Sequence, residues 1–284
     1  MQGGSGNFLL VRAAEDLSER LHTVRRRFQF VLDLGTPGDA LRAALLAGGQ
    51  VDRVVTAEPL AGLHAREGES RVAADEEALP FAEASFHLVV SALALQWVND
   101  LPGTLLQIRR VLKPDGLFLA AMAGGETLTE LRQSLAAAES EIEGGLSPRV
   151  APFVEVRAMG TLLQRAGFAL PVADVDRLTV RYANLAGLFR DLRAMAATNA
   201  LAERRSKPLR RTTIARAAEI YAERFADADG RLRATFDLLW ISAWAPHESQ
   251  QQPLKPGSAR TRLADALGTK EQSAGEHAPR PQED

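Results

Sequence analysis

The run Phe30-Val31-Leu32-Asp33-Leu34 breaks into Gly35-Thr36-Pro37-Gly38-Asp39 and then into a helical pattern reaching Leu46. Glycines without a Cβ let a backbone pass close to a ligand. A second apolar run, Val54 to Ala57, delivers Glu58, at about the twenty-residue spacing at which an acid accepts the hydroxyls of a ribose. A third acid, Asp75, ends the stretch from Ser70 to Ala74. Glycine loop and spaced carboxylates together read as a nucleoside site. A glycine pattern alone marks only a tight turn between strand and helix.

Positioning these residues requires strands whose carboxyl ends meet on one edge of an open sheet. Helical spacing of Leu10, Ala13, Ala14, Leu17 and Leu21 predicts a first helix over 9–24, ended by Arg25, Arg26 and Arg27. Strands follow over 28–34, up to Glu58, over 70–74, over 86–91 and over 117–122. Asp39 is placed to cap the second helix and Gly48-Gly49 to end it. Asn99 or Asp100 caps a helix whose Leu101, Leu105, Ile108 and Leu112 share a face, and Lys113-Pro114-Asp115-Gly116 forms a turn. Thr127 and Glu130 have the spacing of a capping box for a helix over 128–142. A helix ending at Ala166-Gly167, a strand within 172–182, two helices around 185–195 and 214–225, and a last strand over 236–244 complete the domain. Strand and helix alternation of this kind gives a parallel sheet with right-handed crossovers.

The 284 residues, 46% of them hydrophobic, suffice for one large domain. The division expected is an N-terminal helix over 1–27, a main domain over 28–246 with a helical elaboration over about 184–226, and an extension over 247–284, disordered from about 268. A net charge of −2 gives no general pull toward nucleic acid or anionic lipid. The absence of cysteine excludes disulfides and thiolate catalysis. No run approaches the roughly 18 apolar residues of a membrane span. The Gly-rich start lacks the order of a signal peptide. The expected location is therefore cytoplasmic, peripheral at the inner membrane only through a partner. The five histidines are scattered and show no ligand spacing, so no metal site is expected. The basic loop from Arg204 to Arg211 has no interleaved aromatic to stack bases and reads as a solvated loop or a dock for an acidic protein.

Leu32-Asp33-Leu34-Gly35, Glu58, Asp75 to Phe81, Phe86 to Ser91 and Leu112 to Gly116 resemble the class I S-adenosylmethionine-dependent methyltransferases. Leu95-Gln96-Trp97-Val98-Asn99-Asp100-Leu101-Pro102, Gly124 to Arg132, Gly144 to Arg149, Trp240 to Trp244 and His247 to Gln250 are similar to the mitochondrial complex I assembly factor 5 family and its bacterial relatives. The resemblance implies a Rossmann-like α/β fold: a mostly parallel seven-stranded sheet, helices on both faces, a reversed final strand, and a helical insertion over the pocket mouth. It implies S-adenosylmethionine as cofactor, with Asp33, Gly35, Gly38, Glu58, Asp75 and Ser91 binding it. Gly35 would admit the methionine portion, Glu58 hold the ribose and Asp75 accept the adenine amino group. Three departures stand out. Pro37 is rigid and lacks an N–H where the family has glycine, Asp39 puts a carboxylate where the last glycine is expected, and Phe86-His87 replaces Phe-Asp.

Methyl transfer from a sulfonium needs mainly alignment and desolvation, so no triad is required and none is visible. Candidate substrate-side residues are Gln96, Trp97, Glu126 and Arg149. Trp97 reads equally as a core residue, and Arg149 equally as a helix cap. The first expectation is a methyltransferase acting on a protein or an acyl-carrier-bound substrate. The resemblance adds an assembly factor hydroxylating an arginine of a respiratory complex I subunit. A binding protein with a degenerate cofactor loop is the third reading.

Overall fold

The computed structural model describes residues 8–60, 68–205, 207–251, 261 and 263–270. Its seven strands are β1 (Phe28–Leu34), β2 (Val51–Glu58), β3 (Ser70–Ala73), β4 (Phe86–Ala92), β5 (Leu112–Ala123), β6 (Ala169–Tyr182) and β7 (Leu232–Trp244). They form one sheet in the order β3-β2-β1-β4-β5-β7-β6. The first five strands run parallel, while β7 lies antiparallel to both β5 and β6. This is the class I methyltransferase sheet with its reversed last strand.

Continuous apolar runs such as Phe86–Ala92 are what a strand covered on both faces requires, and helices cover both faces here. On one face Leu10, Ala14, Leu17 and Leu21 of α1 (Phe8–His22) pack with Leu41 and Leu45 of α2 (Ala40–Ala47). Leu131 and Leu135 of α4 (Thr129–Glu143), Leu188 of α6 (Leu185–Ala194) and Ile220 of α7 (Arg211–Phe225) extend the same core. On the other face Leu105 and Ile108 of α3 (Leu101–Val111) pack with Met159 and Leu163 of α5 (Val156–Arg165). Each buried leucine contributes roughly 1.5–3 kcal/mol of transfer free energy. Arg12 and Arg20 of α1 reach Asp176 and Asp174 of the edge strand β6 at 2.8 and 3.0 Å.

The chain divides into two compact units, Met1–His247 and Glu248–Asp284. The second carries the short helix α8 (Leu263–Leu267); the disorder expected beyond 268 falls mostly outside the described residues.

Three local expectations are corrected. Thr127 and Glu130 form no capping box: the Thr127 hydroxyl bonds the Asp237 backbone, and the Glu130 carboxylate accepts from the Thr235 N–H and hydroxyl. Helix α4 is thereby tied to β7, and Leu128 takes the N-cap position with φ +56°. Residues 113–116, expected as a turn, belong to β5, where the pairing with β4 shifts register and Asp115 adopts positive φ, at +60°. The helical elaboration does not cover the pocket. Helix α6 packs against β6 and α7 against α4, leaving the ligand cleft to the loops after β1 to β4.

Candidate functional site

The carboxyl ends of β1 to β4 frame a cleft of about 340 Å³, lined by Gly35 and Pro37 after β1, Pro59 after β2, Asp75, Glu76 and Glu77 after β3, and Leu93, Ala94 and Trp97 after β4. Its size falls within the range of small-ligand sites. Gly35 has φ +70°, and a Cβ there would collide with Glu76 Oε1 and stand 2.9 Å from Ala94 Cβ. Only glycine satisfies both demands. Gly38, at φ +71°, has open space around it, so its glycine serves backbone conformation rather than close approach.

The loop departures are accommodated in distinct ways. Thr36 is fully buried and its hydroxyl accepts from the Ala92 N–H at 2.9 Å, pinning the loop to β4. Pro37 lines the cleft. Asp39 occupies the N-cap position of α2 without capping it; its carboxylate instead pairs with the Arg71 guanidinium. Arg71, whose side chain is 3% exposed, also holds Glu58 at 2.9 Å and Glu69 at 2.8 Å, and Glu69 binds Arg42 at 2.9 Å. The bonds to Glu69 and then Asp39 keep the guanidinium firmly protonated against the opposing effect of burial. The carboxylate that replaces the last glycine is thus turned onto a cation, and the same cation holds Glu58. Sequence reasoning passed over Arg71. Its signal was a lone arginine in a short strand beside one that ends in an acid.

Asp33 is fully buried, and burial pushes its carboxyl up to about 7, helped by the Glu58 charge and opposed by the Thr36 hydroxyl and Arg71. Among the described residues no hydrogen bond of good geometry reaches either of its oxygens, the nearby Thr36 hydroxyl included. An orphaned buried acid next to the Gly loop calls for a donor such as an ammonium group. Ser91 is not available to a ligand, because its buried hydroxyl donates to the Leu34 carbonyl at 2.7 Å and staples β4 to β1. His87 lies at the far end of β4, stacked on Phe30, with burial and then Lys113 holding it below the usual imidazole range.

The four substrate-side candidates part company. Trp97, 44% exposed, stands in the cleft wall rather than in the core. Gln96 donates to the Leu93 carbonyl at 2.7 Å, while its buried Oε1 has no partner among the described residues. Glu126 is exposed on the loop after β5 and its N–H donates to buried Asp237, itself bound by Arg177 at 2.7 and 2.8 Å. Arg149 is structural: it bonds Glu139, which also takes the Ser147 N–H at 3.0 Å and is 1% exposed. Removing one member of a buried pair strands the other charge. Arg149→Ala is therefore expected to cost about 3–5 kcal/mol in a urea unfolding experiment while leaving turnover per folded molecule unchanged. Among the described residues, no group of three or more His, Asp or Glu is placed to hold a metal ion.

Residues 32–120 match the family model described as a methyltransferase domain. The chain is 41% identical over 264 residues to the protein named arginine-hydroxylase NDUFAF5, mitochondrial, of Danio rerio, covering 91% of this chain and 82% of that one. The Homo sapiens protein of that name is 40% identical, over 89% of this chain and 74% of its own. This chain belongs to the NDUFAF5 family. A malonyl-[acyl-carrier protein] O-methyltransferase of Methylovorus is 34% identical over 88% of this chain and 87% of its own. The fold is shared with the YcgJ protein of Bacillus subtilis, with TM-score 0.54 at 15% identity, over 81% of this chain and 98% of that one. An NDUFAF5-family protein of this fold is an enzyme whose cofactor is S-adenosylmethionine, and the residues present are compatible with it: Gly35 and Asp75 line the cleft, and the buried acids Asp33 and Glu58 stand near the carboxyl ends of β1 and β2. That cofactor carries a methyl group on a positively charged sulfur.

The family also corrects the expected compartment. NDUFAF5 relatives from vertebrates and from Dictyostelium are named mitochondrial, which overturns the cytoplasmic location. Near-neutral charge and missing cysteine describe a solvent that several aqueous compartments share, so they never discriminated between them. Among the described residues, no helix is long and apolar enough to cross a membrane.

Proposed function

We propose that this protein hydroxylates an arginine side chain of a respiratory complex I subunit, acting as an assembly factor for that complex. The observation that carries this is the identity of about 40% across nine-tenths of the sequence to proteins named arginine-hydroxylases. The cleft is consistent in charge: Asp75, Glu76 and Glu77 line it beside the exposed ring of Trp97. Such a rim attracts a guanidinium and offers it an aromatic face. Insertion of oxygen into a C–H bond of the arginine consumes dioxygen, two electrons and two protons, and releases water. A two-electron donor is thus a required co-reactant.

A second reading, methyl transfer to a carrier-bound acid, is favoured by the acyl-carrier-protein O-methyltransferase relatives. Mass spectrometry of complex I subunits separates the two. Cells lacking this protein are expected to lose one oxygen atom from an arginine-containing peptide, with wild type restoring it and Glu58→Ala failing to. Loss of a methyl group instead would move the assignment to the second reading. An unchanged set of subunits would sink the complex I role altogether.

A further inference from the structure

Neither the sequence nor the resemblance gives Glu76 of the cleft a role, and its placement is specific. Its carboxylate lies over the Cα of Gly35, so close that any side chain at position 35 would meet it. That is where the glycine loop leaves space for a ligand. Asp75 and Glu77 flank it in sequence, and Ala94 and Trp97 line the same cleft. The neighbouring acids have local partners: Asp75 accepts from the Glu77 N–H at 2.9 Å, and Glu77 accepts from the N–H groups of Asn99 and Asp100. Glu58 has Arg71 at 2.9 Å. No Lys, Arg or His among the described residues pairs with Glu76, although burial, opposed by a hydrogen bond from its own backbone N–H and joined by the charges of Asp75, Glu77 and Glu58, already disfavours its ionised form. A half-buried carboxylate without a counter-charge, facing an open cleft, is matched by a ligand that brings the charge with it.

We propose that Glu76 receives the positive charge of the ligand in this cleft, swinging off Gly35 as the methionine arm of the cofactor enters and pairing with it. The proposal rests on the cofactor reading of the cleft and adds a binding group to it. Two positive centres on S-adenosylmethionine share this chemistry, the ammonium and the sulfonium. S-adenosylhomocysteine keeps the first and lacks the second.

Calorimetric titration of wild type, Glu76→Gln and Glu76→Asp with both compounds tests the assignment. Glu76→Gln is expected to weaken S-adenosylmethionine at least tenfold, with Glu76→Asp retaining part of the affinity. An equal loss for S-adenosylhomocysteine places the ammonium against Glu76, and a smaller loss places the sulfonium there. Glu76→Gln that binds both compounds as well as wild type, or better, overturns the role while leaving the cofactor reading intact. Wild type that binds neither compound overturns both. Thermal melts of the variants, expected to coincide with wild type or rise above it, separate lost binding from lost fold.

Discussion

Arg71→Met is expected to lower unfolding free energy by about 3–5 kcal/mol and to weaken S-adenosylmethionine binding at least tenfold. The guanidinium touches three carboxylates from three places in the sequence, Asp39 in the loop before α2, Glu58 at the end of β2 and Glu69 just before β3. Glu58 and Glu69 are each only 10% exposed in their side chains. Withdrawing the shared cation leaves acids that water cannot solvate well, and Glu58, the acid that the resemblance assigns to the ribose, loses the bond that orients it. Replacing both members of a buried pair is far milder than replacing one. Glu58→Gln combined with Arg71→Met should recover much of the stability in urea unfolding yet bind no cofactor in calorimetry. Stability of Arg71→Met within about half a kcal/mol of wild type, the scatter of an ordinary surface substitution, would show that the pairing is incidental.

The parts of the molecule legible in the sequence are those fixed by local periodicity. Strand β1 was visible as an apolar run ending in glycine, α1 in its three-and-four spacing, and β4 as an uninterrupted apolar stretch suited to burial on both faces. Strand β5 was visible only from Leu117 on, since the residues read as a turn belong to it, and its reversed neighbour β7 came from the family resemblance. What local reading missed lies in contacts between residues far apart in sequence. Thr127 and Glu130 have ideal capping-box spacing, yet Asp237 and Thr235 of β7 compete for their polar atoms and win. Arg149 follows Ser147-Pro148 like a ligand-binding arginine, yet a buried acid on α4 claims it. Asp39 read as an intrusion into the cofactor loop because its partner, Arg71, lies on another strand. Trp97, which apolar character alone would bury, stands at a cleft mouth that no window of sequence can display. The compartment was not legible at all, since composition records what a fold tolerates rather than where the cell delivers it.

The stability of Asp33→Asn relative to wild type is expected to change by roughly 4 kcal/mol between pH 4 and pH 8. The folded carboxyl titrates at about 7 against an ordinary value of 3.8, with burial as the leading cause. A raised acid contributes its full stability below the ordinary value and loses it as pH rises through the folded one. Wild type should therefore weaken across that window, while asparagine, which does not ionise there, adds no such slope. Any fixed cost of fitting the amide is the same at every pH and drops out of the comparison. Urea midpoints at a series of pH values read the difference directly, and a pH-independent difference would mean that Asp33 is solvated or paired. Adding saturating S-adenosylmethionine then tests why so costly a group is kept. A cation beside the carboxylate favours its charged form, so the cofactor should flatten the wild-type slope, and Asp33→Asn should bind it more weakly. A slope unchanged by the cofactor would place Asp33 out of its reach. A flattened slope would mean that the cost of burying this acid returns as affinity, the exchange expected where a binding group is held ready at the expense of the fold.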